Sequence, residues 1–383
     1  MNSLTNTLRP YIYFLAFVVL LGGSACTMDD SSENDAPNSL LDVGHGPMTN
    51  VSEFVATLSM DTCNQEPPSL YLNPHEQRFS LAHGLSLSWI SLLALRSENQ
   101  ATTTAQTWGL SDVVFIEDRR HDLRAMISET DDLVLLTFRH TDSIQNWIYD
   151  AHFLLRDFAE SFALGEKVHH GFGTMLAPQW AEIRDRVAAR VAAGKKLWIF
   201  GHSLGAALAQ LAAAGLHADG IDVDVVYASG APKVGSEAWS GKANSLLSGR
   251  FFRIANQKDL IARVPILPAA YDEFGELFES IPDFLREPIA NTLQNTRYGL
   301  VGQGFELSGG ASYRSWPAGT EDAAEEAYWT ELVNRFAQID QNGGNPLDRL
   351  DQKKDVVVEY LTDHQVVNDG YSCSYHAALL GAE

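Results

Sequence analysis

The sequence predicts an α/β fold with a mostly parallel central sheet flanked by helices. From about Asn73 onward, short apolar strand patterns alternate with amphipathic helix patterns. Strands that alternate with helices favour parallel pairing, because each connection must cross the face of the sheet. No internal repeat or low-complexity tract interrupts this part of the chain. A single large domain is therefore expected.

The elements are predicted from the period of the apolar residues. Helical spacing runs over 77–95, and the helix over 180–193 ends at Gly194, a common stop signal. A second helix, rich in Ala and Leu, covers 206–216, and another is expected near the C-terminus. Strands are predicted at Thr107–Phe115, Leu133–Phe138, Lys196–Phe200, Val223–Ala228, Arg250–Ala255 and Asp355–Leu361, with a further strand ending near Leu307.

Charge and length exclude some classes of function. The chain has 383 residues, with 49 acidic against 27 basic side chains and a formal net charge of -22. No cluster of Lys and Arg is present to neutralise phosphates, so a nucleic-acid partner is not expected.

The N-terminus has the features of an export signal. Arg9 precedes an apolar run from Tyr11 to Leu21, and small residues follow before Cys26. The run is shorter than the roughly 20 residues that cross a bilayer. Cys26 closes a lipobox-like pattern, although Gly23 stands where an aliphatic residue is usual. Two outcomes stay open: an outer-membrane or cell-surface lipoprotein attached through lipidated Cys26, or a cleaved protein that is secreted or periplasmic.

The domain boundaries follow from composition. Residues 1–26 are predicted to be the signal peptide, 27–60 an acidic flexible tether, and 61–383 the folded domain. Beyond Cys26, the chain has two cysteines, Cys63 and Cys373. An exported chain meets an oxidising compartment, so a disulfide between them is a hypothesis.

The segment Gly201-His202-Ser203-Leu204-Gly205 matches a nucleophile elbow. In this motif a sharp turn from strand to helix holds the serine oxygen clear of the sheet, and glycines are needed because side chains would collide at so tight a bend. The match lies between an apolar strand and an Ala-rich helix, as the motif requires. It predicts the α/β-hydrolase fold with Ser203 as nucleophile and His202 in a structural role.

A serine nucleophile needs an imidazole base and a carboxylate that orients it, and in this fold they follow the serine in the order acid, then base. Asp259 lies just past a predicted strand, at the sheet edge that carries functional loops. Its rivals Asp222 and Asp224 stand at the start of a strand. His364 is favoured as base because it follows the predicted strand over 355–361. His376 is the alternative, in a helix where a packed histidine is commoner.

With these residues placed, the stretch from about Leu70 to the C-terminus resembles the class 3 lipases, an α/β-hydrolase family that includes lidded triacylglycerol lipases. Five blocks carry the resemblance in order: Leu135–Asp150, Val168–Phe172, the elbow, Ala231–Gly235 and the Asp259 segment up to Pro265. The resemblance implies Ser203, Asp259 and His364 as a catalytic triad. It also implies an oxyanion hole formed by the backbone N–H and hydroxyl of Thr141 and the N–H of Leu204.

Three features bear on the acyl pocket. The family usually has Gly where this chain has His140, and we expect His140 to narrow the entrance. Apolar residues at helical spacing indicate either core packing or a lid-like helix that opens at a lipid surface, with Ile144, Trp147 and Ile148 on its stripe. The long segment Tyr271–Arg297 is a candidate roof for the site.

The predicted function is hydrolysis of carboxylic esters, as in a triacylglycerol lipase acting on lipid or other acyl esters, at times at a lipid–water interface. A phospholipase, a short-chain or aryl esterase, a serine peptidase and a non-catalytic surface lipoprotein are the alternatives. No cofactor and no metal are implied, since Asp340-Gln341-Asn342-Gly343-Gly344 lacks the calcium-loop pattern.

Overall fold

Eight strands form one sheet in the computed structural model, which describes residues 46–140, 154–265, 297–310, 312–342, 345–367 and 370–381. Their spatial order is β1-β2-β3-β6-β7-β8-β9-β10, and a small second sheet pairs β4 with β5. The strands are β1 (Ser111–Asp118), β2 (Leu123–Glu129), β3 (Leu133–Phe138), β4 (Leu155–Arg156), β5 (Val168–His169), β6 (Lys196–His202), β7 (Val225–Ser229), β8 (Phe251–Asn256), β9 (Gln303–Leu307) and β10 (Tyr313–Trp316).

The centre of the large sheet is parallel and its two ends are antiparallel. Strands β3, β6, β7, β8 and β9 pair in parallel, whereas β1 and β2 join one end as antiparallel neighbours and β10 joins the other. The carboxyl ends of the five parallel strands therefore meet at one edge. The predicted α/β-hydrolase architecture, a mostly parallel sheet flanked by helices, is confirmed.

Helices cover both faces of the sheet. They are α1 (Val51–Val55), α2 (Leu81–Leu93), α3 (Glu98–Thr107), α4 (His170–Leu176), α5 (Trp180–Val191), α6 (Leu204–Ala218), α7 (Glu237–Leu246), α8 (Asp322–Gln341), α9 (Pro346–Thr362) and α10 (Tyr371–Leu380).

Side chains alternate between two hydrophobic cores because successive residues of a strand point to opposite faces. Leu136 and Ile199 pack beneath α6 in one core, while Leu135 and Trp198 pack beneath α2 and α10 in the other. Continuous apolar strands of this kind are typical of a sheet that is buried on both faces. This double burial holds the carboxyl edge of the sheet, and the loops on it, in a defined position.

The predicted strand Asp355–Leu361 is wrong, because these residues are the last part of helix α9. The buried residues Val356, Val357 and Tyr360 lie on one side of that helix, while Val358 is exposed. The β-branched run looked like a strand by itself, but helical burial against the core overrides that local preference. The strand predicted over Thr107–Phe115 also shifts: Thr107 ends α3, and β1 begins at Ser111.

The packed region begins before the predicted boundary at residue 61. Met48 bridges Tyr71, and Phe54 on α1 is fully buried in the core. The end of the predicted tether is thus part of the fold. The signal segment, Cys26 and the start of the tether lie outside the described residues, and among the described ones no helix is long and apolar enough to cross a membrane.

A disulfide joins Cys63 to Cys373, with their Cα atoms 4.8 Å apart. It links the N-terminal segment to α10, two residues beyond Tyr371. The Ser372 hydroxyl adds a hydrogen bond to the Cys63 carbonyl at the same place. The two ends of the domain are therefore tied together next to the helix that closes one core.

Candidate active site

Ser203 occupies a strained turn between β6 and α6. Its backbone has φ 55° and ψ −123°, and it is the residue that immediately precedes the first residue of α6. A non-glycine residue with positive φ outside the left-handed helical region costs of order 1–3 kcal/mol and persists only where the surrounding structure imposes it. This backbone conformation turns the chain sharply away from the strand direction at Ser203, as a nucleophile elbow requires.

The two elbow glycines are explained by steric contact. A Cβ atom on Gly201 would lie 2.1 Å from the carbonyl carbon of Gly205, and a Cβ atom on Gly205 would lie 2.3 Å from the carbonyl oxygen of Phe138. Both distances are far below van der Waals contact. Helix α6 can therefore approach the sheet only because both positions lack a side chain, and Ser203 is held between them.

His364 and Asp259 form a buried pair. The Nδ1 atom of His364 lies 2.8 Å from both carboxylate oxygens of Asp259, and both residues are fully buried. Asp259 follows the carboxyl end of β8, as predicted. His364 lies in the turn after α9 rather than after a strand, so its expected structural context is wrong, although the structure does bring it to Asp259.

The surroundings of Asp259 keep it ionised. Burial alone would raise its pKa, but the His364 contact, a 2.6 Å hydrogen bond from the Tyr371 hydroxyl and backbone N–H groups hold that pKa below its ordinary value. The amides of Ile261 and Ala262 donate to Oδ1 at 2.8 and 3.2 Å. A carboxylate of this kind keeps the His364 Nδ1 protonated and leaves Nε2 as the basic nitrogen.

The serine and the histidine are brought to one edge of the sheet through β7. The Ser203 amide donates to the Ser229 carbonyl at 3.0 Å, and the next residue, Gly230, faces His364. A Cβ atom on Gly230 would lie 2.7 Å from His364 Cε1 and 3.0 Å from Asp259 Oδ2, and its φ is +57°. Gly230 therefore makes room for the pair beside the nucleophile.

Neither Ser203 Oγ nor His364 Nε2 has a hydrogen-bond partner among the residues that the structure describes, and both are buried. Catalytic hydrogen bonds often tighten only when substrate is bound. Neither atom is therefore engaged by another described group.

His202 lies in the site rather than apart from it. Its ring centroid is 4.7 Å from that of His364 and 5.2 Å from that of Tyr371. Burial, together with the neighbouring His364 and His140, lowers the pKa of His202 well below its ordinary value, so the ring is neutral. In its expected structural role, His202 therefore packs against the ring of His364.

The other predicted pocket residues are only partly described. Leu204 begins α6, whose first-turn N–H groups have no acceptor within the helix. His140 is half-buried, with its ring 5.5 Å from that of His202. Thr141 and the lid residues Ile144, Trp147 and Ile148 lie outside the described residues, as does nearly all of 271–297.

The rival residues have other contacts. Asp222 pairs with Arg250, and Asp224 accepts from the Leu197 amide at 2.9 Å, at the start of β7 and thus at the opposite edge of the sheet. His376 is buried in α10, where its Nδ1 lies 2.9 Å from the Ser372 carbonyl oxygen. In the described part of the chain, no group of three or more His, Cys, Asp or Glu residues is placed to hold a metal ion.

Sequence reasoning missed Tyr371, Gly230 and Asp363. Tyr371 contacts the acid from 112 residues away in the chain, which no local pattern reveals. Gly230 had a usable signal, because a glycine that directly follows a parallel strand marks a close approach at the functional edge. Asp363 has no sequence signal beyond its position directly before His364.

With this geometry in place, comparison with known proteins is informative. Residues 135–268 match the family described as Lipase (class 3). This part of the chain is similar to the class 3 lipases. This matched region covers the elbow and the Asp259 segment, whereas His364 lies beyond it.

Two curated fungal lipases are similar to part of the chain. It is 27% identical over 180 residues to the secreted mono- and diacylglycerol lipase A of Penicillium cyclopium, covering 45% of this chain and 55% of the relative. It is 27% identical over 208 residues to a lipase of Rhizomucor miehei, covering 48% of this chain and 54% of the relative. The chain spans about half the length of these relatives.

One crystal structure of a fungal lipase has a TM-score of 0.50 with this chain, at 16% identity, covering 76% of this chain and 96% of the other. This likeness supports the shared α/β-hydrolase fold and nothing finer.

Proposed function

We propose that this protein is an exported serine ester hydrolase, with Ser203 as nucleophile, His364 as base and Asp259 as the orienting acid. The observation that carries the proposal is the buried His364–Asp259 contact of 2.8 Å at the sheet edge where the strained Ser203 directly follows β6. A fold alone does not imply a function, but a nucleophile, base and acid with these relations indicate acyl transfer.

The reaction follows from these positions. Ser203 Oγ attacks the ester carbonyl carbon while His364 Nε2 takes the serine proton, and Asp259 stabilises the resulting imidazolium. The tetrahedral intermediate then loses the alcohol, which takes that proton from His364, and an acyl-serine remains. Water attacks the acyl carbon after giving a proton to His364, and the carboxylic acid leaves as Ser203 regains its proton.

The developing oxyanion needs hydrogen-bond donors. We assign this role to the N–H of Leu204, at the positive end of α6, and to the backbone N–H and hydroxyl of Thr141. Each such donor typically lowers the barrier by a few kcal/mol. Helix α6 helps because its first-turn amides and its dipole both favour a negative charge at this end.

The proposed substrate is a lipid ester, with triacylglycerol as the leading candidate. The support is the match of residues 135–268 to the class 3 lipase family and the relatives whose names describe mono- and diacylglycerol lipases. Phospholipids and short-chain or aryl esters remain alternatives within the same chemistry. A non-catalytic surface lipoprotein is the alternative of a different class, and the uncommitted Ser203 and His364 argue against it.

Export is proposed from the N-terminal pattern, and relatives with secreted in their names are consistent with it. Attachment to a membrane through lipidated Cys26 is a separate proposal. Metabolic labelling with a fatty acid, compared between the parent chain and Cys26→Ser, tests it. Label that persists in the Cys26→Ser variant would rule out lipidation at this residue.

The experiment that tests the function is hydrolysis of p-nitrophenyl esters from C2 to C16 by the full chain and by Ser203→Ala. We expect cleavage that peaks at C8 or longer and disappears in the variant. A peak at C2 to C4 would instead indicate an esterase with a constricted pocket. Equal rates for the two proteins, or no rate from a folded parent, would contradict the proposal.

The lid is tested with the same protein. If the stripe of Ile144, Trp147 and Ile148 covers the acyl site in water, the rate on tributyrin rises sharply once the substrate exceeds its solubility and forms an emulsion. Replacement of Trp147 by Ser should reduce that rise while the rate on dissolved p-nitrophenyl acetate changes little.

A further inference from the structure

Asp363 directly precedes His364 and connects its turn to the loop that carries Asp259. Its carboxylate Oδ2 accepts a hydrogen bond from the Lys258 amide at 2.8 Å, and its backbone carbonyl accepts one from Asn256 Nδ2 at 2.8 Å. Lys258 and Asn256 both lie just before Asp259 in the chain. One residue therefore makes two bonds across the gap between the base and the acid.

The position of His364 depends on contacts of this type. The amides of the turn bond to its own helix: the Asp363 amide donates to the Glu359 carbonyl at 3.1 Å, and the His364 amide donates to the Leu361 carbonyl at 3.3 Å. The next residue, Gln365, accepts from the Tyr371 amide of α10 at 2.8 Å. These bonds place the imidazole relative to α9 but not relative to β8. The acid lies 105 residues away, so it needs bonds that run between the two segments.

We propose that Asp363 is a positioning residue, whose carboxylate and carbonyl hold the His364 turn in line with Asp259 and Ser203. This inference rests on the proposed hydrolase function. It assigns a role in alignment to a side chain that does not touch the reacting atoms.

A packing role alone does not explain the charge of Asp363. The ionisable groups that face it are Lys258 and Asp259 on the loop after β8 and Glu359 on α9. Burial, with the two like charges, raises the pKa of Asp363 to about 6, although the Lys258 amide and ammonium act in the opposite direction. Ionisation of Asp363 is thus unfavourable at this place. The ionised carboxylate nevertheless accepts the hydrogen bond from the Lys258 amide more strongly than an uncharged group would.

An outer ion pair supports the same connection. Lys258 Nζ contacts Glu359, and Arg335 on α8 contacts the other oxygen of Glu359 at 2.6 Å. The Tyr328 hydroxyl also donates to the Lys258 carbonyl at 3.3 Å. The loop before Asp259 is therefore bonded to α8, to α9 and to the His364 turn, with Asp363 nearest to the base.

The test compares the parent chain with Asp363→Ala, Asp363→Asn and Asp340→Ala. Asp340 is the matched control, because it pairs with Lys353 at an exposed place on the same two helices. The measurement is kcat and KM on p-nitrophenyl butyrate and octanoate from pH 5 to 9. We expect Asp363→Ala to lower kcat about ten- to hundredfold with KM within about twofold, since a misplaced catalytic group costs rate rather than binding.

The amide variant separates alignment from folding. Asparagine still accepts the Lys258 hydrogen bond, so its kcat at pH 8 should stay within about threefold of the parent value. The ratio of variant to parent should rise toward one as the pH falls to 5, because only the parent takes up a proton near pH 6. A ratio that stays constant with pH, or no rescue by asparagine, would overturn the proposal even if Asp363→Ala fails to fold.

Different results test the positioning role of Asp363 and the proposed hydrolase function. If Asp363→Ala loses no more kcat than Asp340→Ala, Asp363 has no positioning role. If the parent cleaves no ester, the hydrolase proposal fails, and the rate at which a fluorophosphonate labels Ser203 in the same variants then tests the alignment. Equal labelling of Asp363→Ala and the parent would count against it.

Discussion

The imidazole of His202 lies against that of His364, with ring centroids 4.7 Å apart and planes tilted by 30°. His202 is the last residue of β6 and directly precedes Ser203. The end of this one strand therefore positions both the serine and the ring that packs against His364. The His140 ring packs edge-on against the His202 ring, with centroids 5.5 Å apart. His140, which directly precedes Thr141, is therefore connected to His364 through the ring of His202.

Removal of the His202 ring should misalign the base. We expect His202→Ala to lower kcat about tenfold or more, since His364 gains room to tilt, whereas His202→Phe keeps most of the packing and retains kcat within about fivefold. His376→Ala is the control, because it removes another buried histidine outside the site. Steady-state kinetics and thermal unfolding of all three variants check this, and a His202→Ala kcat equal to that of the control would refute it.

The hydroxyl of Tyr371 should support Asp259. It donates to Asp259 at 2.6 Å and accepts from the Asn256 amide at 2.9 Å. We expect Tyr371→Phe to lower kcat about five- to thirtyfold, equivalent to about 1–2 kcal/mol for a hydrogen bond to a charged group. Tyr375→Phe, one turn further along α10, removes a hydroxyl that contacts Ser229 at 3.2 Å and should change kcat much less.

The same variant has a pH signature. The folded protein holds the Asp259 pKa below the ordinary value of 3.8, so this group stabilises the fold above that pH and the stabilisation is lost as the pH falls through its lower, folded value. Without the Tyr371 donor that pKa rises. Acid unfolding followed by circular dichroism should therefore begin at a higher pH in Tyr371→Phe than in Tyr375→Phe, and coincident curves would exclude this coupling.

A methyl group at position 230 should displace the base. Gly230→Ala places a Cβ atom 2.7 Å from His364 and also strains a backbone with φ of +57°. We expect a loss of at least about a hundredfold in kcat, because misplacement by about 1 Å has that cost. Gly220→Ala is the control, since Gly220 also has positive φ (+81°) but nothing lies within 4 Å of its added Cβ. A similar loss in both variants would mean that backbone strain, not the clash, is responsible.

Ionisation of Asp363 should lower the free energy of unfolding. Its pKa in the folded protein, about 6, is above the ordinary value of 3.8, so proton binding favours the folded state as the pH falls from 6 to 4, and the cost of the charge is complete above pH 6. We expect Asp363→Asn to raise the free energy of unfolding by about 1–2 kcal/mol at pH 8, and the gain to vanish below pH 4. Urea titrations at the two pH values measure it, and a variant that is less stable at pH 8 would show the sign to be wrong.

The disulfide between Cys63 and Cys373 should stabilise the domain through its ends. Replacement of both cysteines by serine should lower the free energy of unfolding by about 2–4 kcal/mol, the usual range for a cross-link that limits the unfolded chain. Denaturant titration measures this loss. Thiol titration of the denatured, unreduced domain should find neither Cys63 nor Cys373 reactive, and two reactive thiols there would exclude the bond.

The sequence by itself determined the fold class and the candidate nucleophile, because the signals for both are local. Strand and helix periods repeat within ten to twenty residues, and the Gly-His-Ser-Leu-Gly turn carries its own steric reason in the two glycines that cannot bear a Cβ atom. Asp259 and His364 could be selected from their order in the chain and from the rule that functional loops follow parallel strands. Their contact distance could not be read from that order.

Only the tertiary structure decided which side chains surround those three residues. The sequence predicts a strand over 355–361 because the β-branched run favours a strand locally. In the folded protein these residues are helical, because packing of one side of the helix overrides that preference. Tyr371 bonds to Asp259 across 112 residues of chain, Asp363 bonds to Lys258 across 105, and Gly230 lies against the His364 ring, and no periodicity encodes these contacts. Alignment in this site depends on these distant contacts, since each is made only after separate elements have packed on the two faces of one sheet.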